Sequence, residues 1–480
     1  MIIFAANFLL MNDDFEDFLD DDETLDTVQR YEEMIKNETK RYFDVDEFAL
    51  IIDYYLESNK INHALQATDI ACLQHPNSTV ILLKKAQLLI NRENPVGALR
   101  ILKSVEKTEP ENYEVFFLKG VVHTLLGNTR EATRQFNKAI SLSFDNKDDV
   151  LYEIAIALEE ANYYTIALKY LLEAFEINSK NLDVIYDIAY CYEKLEKYDK
   201  SIEYYNHYLD IDPFSENAWY NAGICFNLTG NFEKAVEAYD FAIAIEPNFT
   251  SAYFNKANTL ANFGNYKQAI EVYQEFILID DDNIQAYYYI GECHEKMGEY
   301  ERAHFFYEKT LTIDNTFADA WYGLAILCMY NNDFNTALKH ANKATSLDKK
   351  NSDFWFTSGQ IYAKLEWIEE AIVSFAKATE LDPSDFESWV GLSEMFFLLD
   401  KTEKAVETLV KVVGQDNENA DIHCHLAAYY LKINKKKDAL VHLEKAAQLD
   451  NTSFETLFKI YPKAIGDKAV KKIISKYSAD

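Results

Sequence analysis

Small, apolar and turn-forming residues recur at a constant spacing along most of the chain. At a step of 34 residues the sequence divides into twelve segments, called repeats 1 to 12, of which only the third is longer, by one residue near 144–147. Such self-similarity is typical of an array of stacked supersecondary units rather than of one compact core. The repeats begin at Val45, Thr79, Tyr113, Asp148, Leu182, Glu216, Thr250, Ile284, Ala318, Ser352, Phe386 and Ala420.

Two positions within the repeat accept almost only small side chains. Position 20 is alanine in eleven repeats and serine, Ser201, in the other one. Position 8 is glycine or alanine in ten repeats, with Ile52 and Ser393 as the departures. A larger side chain at a close crossing of two helices would force the backbones apart. The pattern therefore predicts a helical hairpin whose two helices cross at positions 8 and 20.

Turn residues and large apolar residues occur at fixed positions of the same repeat. Glycine at position 15 permits the first helix to end and the chain to reverse. Proline at position 32 lies between one hairpin and the next, where a helix breaker does no harm. The large side chains at position 4 are predicted to fill the space between hairpins. These residues are Gly127, Gly230, Gly264 and Gly298; Pro76, Pro110, Pro213, Pro247 and Pro383; and Trp219, Tyr253, Tyr287, Trp321, Trp355 and Trp389.

Repeat 6 carries the pattern of a known family, in Trp219, Ala222, Gly223, Phe226, Ala235, Tyr239 and Pro247. These residues resemble the pattern of the tetratricopeptide repeat family. The resemblance extends from Val45 to about Ser453. The resemblance implies an all-α fold, an α-solenoid of stacked helix-turn-helix hairpins that form a right-handed superhelix. It also implies that the first helix of each hairpin lines a concave groove, and that the protein is a scaffold or adaptor that binds partner peptides there.

The first 44 residues depart from the repeat and form an acidic N-terminal segment. From Met11 to Asp44 thirteen acids oppose four bases, and a leading helix is predicted from about Leu25 to Arg41. Met1–Leu10 is apolar but has no basic residue before it and no small-residue cleavage site, which makes it a poor signal peptide. Met11 begins a more natural-looking N-terminus, so whether residues 1–10 belong to the natural protein stays open.

Residues 45–453 hold the twelve repeats, and residues 454–480 are predicted to form capping helices. A stacked array needs a final helix that covers the apolar edge of its last hairpin and presents a polar face to water. Apolar residues such as Phe454, Leu457 and Val470, interspersed with six lysines, suit that role.

Net charge limits the class of partner. The formal charge of -33 repels phosphate backbones and anionic lipid head groups. Nucleic acid and membrane surfaces are therefore not expected partners, while basic or neutral protein segments are. Six cysteines without a paired CxxC do not form a secreted disulfide framework, which favours a reducing, cytoplasmic location.

No motif in the sequence predicts catalysis or a cofactor. The chain has no P-loop, nucleophile elbow, HExxH or paired CxxC motif. His423, Cys424 and His425 are consecutive on a predicted helix and point about 100° apart, so they are not expected to bind a metal. Two alternatives stay open beside the scaffold: an RNA-binding helical-repeat protein, and a regulatory subunit of a peptide-modifying enzyme. Oligomeric state stays open too.

In the family, position 5 lies on the concave face, and here it is aromatic in eight successive repeats. These residues, called the aromatic stripe, are Phe117, Tyr152, Tyr186, Tyr220, Phe254, Tyr288, Tyr322 and Phe356. Aromatic side chains give interfaces a large contact area at a small loss of entropy. Tyrosine is also common at this position in the family and packs partly on the next repeat, so part of the stripe is expected to be structural.

Amides beside the stripe, at Asn221, Asn255 and Asn258, can bond the backbone of an extended peptide. Chaperone-binding members of the family hold a carboxylate with lysine and arginine at positions 2, 5 and 6. This chain has acids, aromatics and amides there, so the resemblance implies a neutral or basic partner segment.

Overall fold

The computed structural model describes residues 22–144, 146–413, 419–450 and 454–477. Within these residues the regular structure is helical, with 27 α-helices, one short 3-10 helix and no strand. The all-α fold class predicted from the repeat is confirmed. The predictions made for Met1–Leu10 and Met11 concern residues outside this range.

The chain divides into two compact units, Met1–Ala252 and Tyr253–Asp480, called the N-terminal unit and the C-terminal unit. Within each unit, first and second helices alternate as successive antiparallel hairpins. The N-terminal unit contains α1 Asp22–Lys36, α2 Val45–Glu57, α3 Ile61–Gln74, α4 Thr79–Asn91, α5 Pro95–Thr108, α6 Tyr113–Leu125, α7 Thr129–Leu142, α8 Lys147–Glu160, α9 Tyr164–Ile177, α10 Leu182–Lys194, α11 Tyr198–Ile211, α12 Glu216–Leu228 and α13 Phe232–Ile245.

The C-terminal unit begins within α14 Thr250–Asn262 and ends with two short helices. It continues with α15 Tyr266–Ile279, α16 Ile284–Lys296, α17 Tyr300–Ile313, α18 Ala318–Tyr330, α19 Phe334–Leu347, α20 Ser352–Lys364, α21 Ile368–Leu381, α22 Phe386–Leu398, α23 Thr402–Val413, α24 Ala420–Lys432, α25 Lys436–Leu449, α26 Phe454–Ile460, the 3-10 helix Pro462–Gly466 and α27 Lys468–Tyr477.

The helices follow the register of the sequence repeat. Eleven of the twelve first helices begin at the first residue of their repeat, and α8 begins one residue earlier, at Lys147. The leading helix α1 is shorter than the predicted span from Leu25 to Arg41, because Glu38 takes a left-handed conformation (φ 50°) and ends it. Asp44 then caps α2 by accepting a hydrogen bond from the backbone N–H of Glu47 at 2.8 Å.

Position 15 has a left-handed backbone in all twelve repeats, with φ between 54° and 84°. The glycines predicted to end the first helix at Gly127, Gly230, Gly264 and Gly298 belong to this set. Eight repeats reach the same conformation with other residues, namely Asn59, Glu93, Asn162, Glu196, Asn332, Glu366, Asp400 and Asn434. Asparagine and aspartate visit this region more readily than other non-glycine residues, so the strain falls mainly on the three turns with glutamate, Glu93, Glu196 and Glu366.

The predicted crossing of positions 8 and 20 is present within the hairpins. Every position 20 residue is almost fully buried. In repeat 5 the Ser201 hydroxyl donates a hydrogen bond to the carbonyl oxygen of Ala189 at 2.8 Å. The ring at position 24 also limits position 8, since a Cβ added to Gly223 would lie 2.6 Å from the ring of Tyr239. Small residues at position 8 therefore make room for both contacts.

Tryptophan at position 4 fastens one repeat to the turn that precedes it. Each indole N–H donates to the backbone carbonyl six residues earlier, at position 32 of the preceding repeat, over 2.9 to 3.1 Å. The pairs are Trp219 with Pro213, Trp321 with Asn315, Trp355 with Lys349 and Trp389 with Pro383. Each bond satisfies a backbone carbonyl oxygen in the connection between two hairpins.

Helices α26 and α27 pack on the last hairpin. Leu457 and Val470 are fully buried among its apolar residues. Two ion pairs join the same elements, Lys436 with Asp467 and Lys476 with Glu444, each at 2.6 Å. The role of residues 454–480 as a cap stays a prediction.

Candidate functional site

In the N-terminal unit, the aromatic stripe lies between the first helices and the second helices of the same hairpins. Phe117 is buried, and Tyr152, Tyr186 and Tyr220 are half-buried. Three of the four rings contact the ring at position 24 of their own repeat with centroids 5.6 to 6.1 Å apart: Phe117 with Phe136, Tyr186 with Tyr205 and Tyr220 with Tyr239. One face of these rings is thus part of the hairpin core.

Two of the stripe hydroxyls, those of Tyr152 and Tyr186, join their repeat to the next one. Tyr152 donates a hydrogen bond to Asp187 over 2.9 Å. Tyr186 accepts one from the side-chain amide of Asn221 over 2.7 Å. In both cases position 5 of one repeat is bonded to position 6 of the following repeat, 35 residues later.

The stripe of the C-terminal unit is built in the same way. Phe254, Tyr288, Tyr322 and Phe356 are half-buried. The position 24 contact recurs at 5.7 to 6.2 Å for Phe254 with Tyr273, Tyr288 with Tyr307 and Phe356 with Phe375. A hydrogen bond with Thr357, at position 6 of the next repeat, offsets part of the rise that burial causes in the pKa of Tyr322.

The amides singled out from the sequence also have structural roles. Asn221 donates to Tyr186, and Asn258 accepts a hydrogen bond from the hydroxyl of Tyr273. Asn255 is half-buried. Sequence reasoning placed these amides beside the stripe but did not find these bonds, since each joins residues 15 or 35 positions apart.

Carboxylates crowd the first helices of repeats 3 to 5. Burial, together with the charges of Glu114 and Asp149, raises the pKa of Glu153 to about 7. Burial and the charge of Asp187 likewise raise the pKa of Glu159, and burial raises that of Asp187. Within the described residues, no lysine, arginine or histidine charge contributes to these three pKa values. This group of acids, Glu153, Glu159 and Asp187, is called the acid group.

Polar contacts hold two members of the acid group in place. Asp187 accepts the hydroxyl of Tyr152, and Glu159 accepts the thiol of Cys191 over 3.2 Å. Burial and the charge of Glu159 raise the pKa of the Cys191 thiol, so it stays protonated and unreactive. Two members of the acid group, Asp187 and Glu159, therefore lie close to the stripe residue Tyr152, and Glu153 follows Tyr152 on the same helix.

The histidines near the end of the chain bond to neighbouring helices. The Nδ1 atoms of His423 and His442 lie 2.8 Å apart, and His425 contacts Glu394 at 3.1 Å. In the part of the chain that the structure describes, no three histidine, cysteine or acidic residues are grouped as metal ligands would be. In the same part, no helix is both long enough and apolar enough to cross a membrane.

Hairpins stacked in this way define a class of repeat protein that serves as a protein-interaction scaffold. The chain belongs to the tetratricopeptide repeat family. Models of the tetratricopeptide repeat match residues 113–146, 182–215, 216–249, 250–283, 284–317 and 315–459, which make up more than half of the chain. The recognition made from repeat 6 is confirmed.

Solved structures with similar architecture include three of different size. The crystal structure of MamA protein has a TM-score of 0.32 and 22% identity, and the match covers 35% of this chain and 92% of that one. YrrB, described as a TPR protein with an unusual peptide-binding site, has a TM-score of 0.31 and 17% identity over 38% of this chain and 95% of that one.

The third structure is the APC/C hetero-tetramer Cut9-Hcn1, with a TM-score of 0.36 and 15% identity over 90% of both chains. Likenesses of this extent indicate nothing about the partners of this chain. No curated protein matches the sequence.

Proposed function

We propose that this chain is a non-catalytic scaffold whose first helices bind an extended, neutral or basic segment of a partner protein. The acid group is the observation that carries the proposal. Half-buried carboxylates with raised pKa values and no cation beside them cost folding free energy, and perturbed pKa values cluster at functional sites. A lysine or arginine from a partner would supply the missing charge.

The aromatic stripe supplies the second part of the proposed groove. One face of each ring packs in its hairpin, and the half-buried tyrosines keep part of their surface accessible beside the acid group. A ring already held by the core loses little entropy on binding, which is what an interface anchor requires. The stripe is therefore proposed as a rigid apolar wall rather than as a set of mobile side chains.

Selection of random dodecapeptides displayed on phage tests this function with the full chain as bait. Recovered peptides should be rich in lysine and arginine, poor in acids, and released by salt. Charge reversal by Glu153→Lys should abolish their recovery, while Glu176→Lys on the exposed face of α9 should not. Recovery that is indifferent to Glu153→Lys would contradict the proposed groove.

Chromatography on heparin tests the RNA-binding alternative. A helical-repeat RNA reader should be retained on heparin at low salt, because heparin mimics a polyanionic backbone. With a net charge of -33 the chain is expected to elute without retention. Firm retention would favour RNA over a peptide.

A further inference from the structure

A cavity of about 660 Å³ opens on the first helices of the C-terminal unit, beside the last residue of the aromatic stripe. It is called the Phe356 cavity. Three first helices, α20, α22 and α24, contribute most of its wall. Half of its lining residues, among them Phe356, Val390 and Glu394, occupy positions 2, 5, 6 and 9 of their repeats, the phase that includes the stripe.

The floor of the cavity is apolar and fixed. Phe356, Val390 and the two methionines Met329 and Met395 line it. Phe356 packs on Phe375 with ring centroids 5.8 Å apart. Glycine at position 391 permits the ring of Phe375 to pack closely on α22, since a Cβ on Gly391 would lie 2.8 Å from that ring. A slender aliphatic chain is the shape that fits such a floor.

The rim is acidic. Glu387, Glu394 and Asp421 contribute carboxylates, and Lys364 is the only basic residue among the described residues that line the cavity. About half of each of the Glu394 and Asp421 side chains is exposed, so both carboxylates reach solvent at the opening. The rim thus carries an excess of negative charge over an apolar floor.

A buried histidine fixes one of these carboxylates. The Nε2 atom of His425 lies 3.1 Å from Glu394 Oε1, and its Nδ1 atom lies 2.9 Å from the carbonyl oxygen of Asp421. The carbonyl oxygen accepts from Nδ1–H and an ionised Glu394 accepts from Nε2–H, so this geometry favours the doubly protonated ring. Burial lowers the pKa of His425, but the hydrogen bond to Glu394 and the charge of Asp421 outweigh burial and raise it. Glu394 is therefore held at the rim rather than free to turn away.

We propose that the Phe356 cavity binds one lysine or arginine side chain of the partner segment. The aliphatic stem lies on Phe356 and Val390, and the cationic head meets Glu387 and Asp421 at the rim. Charge complementarity selects this occupant: an acidic side chain is repelled, and a purely apolar one leaves Glu387, which forms no ion pair within the described residues, without a counter-charge. The inference rests on the proposed scaffold function and names the side chain that these first helices of the C-terminal unit take.

Methyl NMR of the full chain, labelled at its six methionines, tests the proposal. The probe is acetyl-Ala-Lys-Ala-amide, and its neutral counterpart carries norleucine in place of lysine. The lysine peptide should shift the Met329 and Met395 signals saturably, at least about tenfold more tightly than the norleucine peptide, because a charge-assisted contact is lost. Met34 and Met297, outside the cavity, should not move. Equal affinity for both peptides would overturn the proposal.

Two variants test whether the lysine side chain contacts the acidic rim. Glu387→Gln should weaken the lysine peptide about tenfold, whereas Glu407→Gln, on the exposed face of α23, should leave it unchanged. Glu387 is exposed, so its variant is expected to fold. Methionine shifts that appear without peptide as the protein concentration rises would show that a second copy fills the cavity, and would also overturn the proposal.

The two proposals can fail separately. If the phage selection yields basic peptides that depend on Glu153 while the Met329 and Met395 signals stay unmoved, only the cavity assignment is wrong. If no basic peptide is recovered and the lysine probe still binds, the groove of repeats 3 to 5 is wrong instead.

Discussion

Replacing Glu153 with glutamine should stabilise α8 at pH 8 and change its stability little at pH 5. Glu153 is half-buried beside Glu114 and Asp149, and these surroundings raise its pKa to about 7. At pH 8 its carboxylate is charged in a place that disfavours charge. Glutamine keeps nearly the same shape and carries no charge, so the substitution removes that penalty.

The magnitude follows from the two pKa values of the carboxyl. Its ordinary pKa is 4.5 and its folded pKa is about 7. Each unit of difference is worth about 1.4 kcal/mol, which sets an upper limit of about 3 kcal/mol at pH 8. At pH 5, where the folded carboxyl is protonated, less than about 1 kcal/mol remains. The sign is fixed as well: a raised folded pKa gives stability at low pH that is lost as the pH rises towards 7.

Hydrogen exchange measured by mass spectrometry is the assay, because repeat arrays open locally and a single unfolding midpoint averages over them. Protection of peptides from α8, corrected for the pH dependence of intrinsic exchange, gives the change in opening free energy. Glu176→Gln on the exposed face of α9 is the matched control and should have no effect. A gain in Glu153→Gln that is equal at pH 5 and pH 8 would refute the electrostatic explanation, as would no gain at pH 8.

Three further predictions concern stability and assembly. Glu366→Gly should stabilise its hairpin by about 1 kcal/mol and Gly298→Glu should destabilise its hairpin by a similar amount, because residues 366 and 298 both have a left-handed backbone. Hydrogen exchange that is unchanged in both variants would contradict the strain at these turns. Ala235→Leu should destabilise by about 1 to 3 kcal/mol through overpacking, while Glu237→Leu on the exposed face should not, as urea unfolding can measure. Deleting residues 454–480 should keep the helical content but cause self-association in light scattering, since the apolar surface under Leu457 and Val470 would be exposed; a monomeric product would disprove the cap.

The register of the fold could be predicted because each repeat carries the same structural restriction at the same position. Alanine at position 20 and a small residue at position 8 mark a close helix crossing, and twelve copies in phase fix every first helix to within a residue. The strained turns at Glu93, Glu196 and Glu366 could not be predicted residue by residue, because glutamate does not favour a left-handed backbone. The left-handed turn at these three residues could be predicted only from their position in the repeat, which is glycine in four other repeats.

The candidate site was predictable in composition but not in bonding. The stripe was visible as aromatic residues at position 5, yet its packing on position 24 depends on the rotamers of two helices. The bonds from Tyr152 to Asp187 and from Asn221 to Tyr186 each span 35 residues. These bonds could have been found in the sequence by comparing each tyrosine at position 5 with the residue at position 6 of the following repeat. The contact between His423 and His442 is absent from the repeat pattern, since no other repeat has histidine at both positions.

The bond from a position 4 indole to the preceding turn has a mechanical consequence. When an array of hairpins is stretched from its ends, it opens first where the connection between neighbouring hairpins is weakest. Each of these tryptophans strengthens one connection with a hydrogen bond and a large ring. Within the C-terminal unit, the connections before Trp321, Trp355 and Trp389 are pinned in this way. The connection before repeat 8, where Tyr287 replaces tryptophan, has no indole to form the bond. Under load we expect that connection to extend first and the three consecutive connections with an indole hydrogen bond to stay intact.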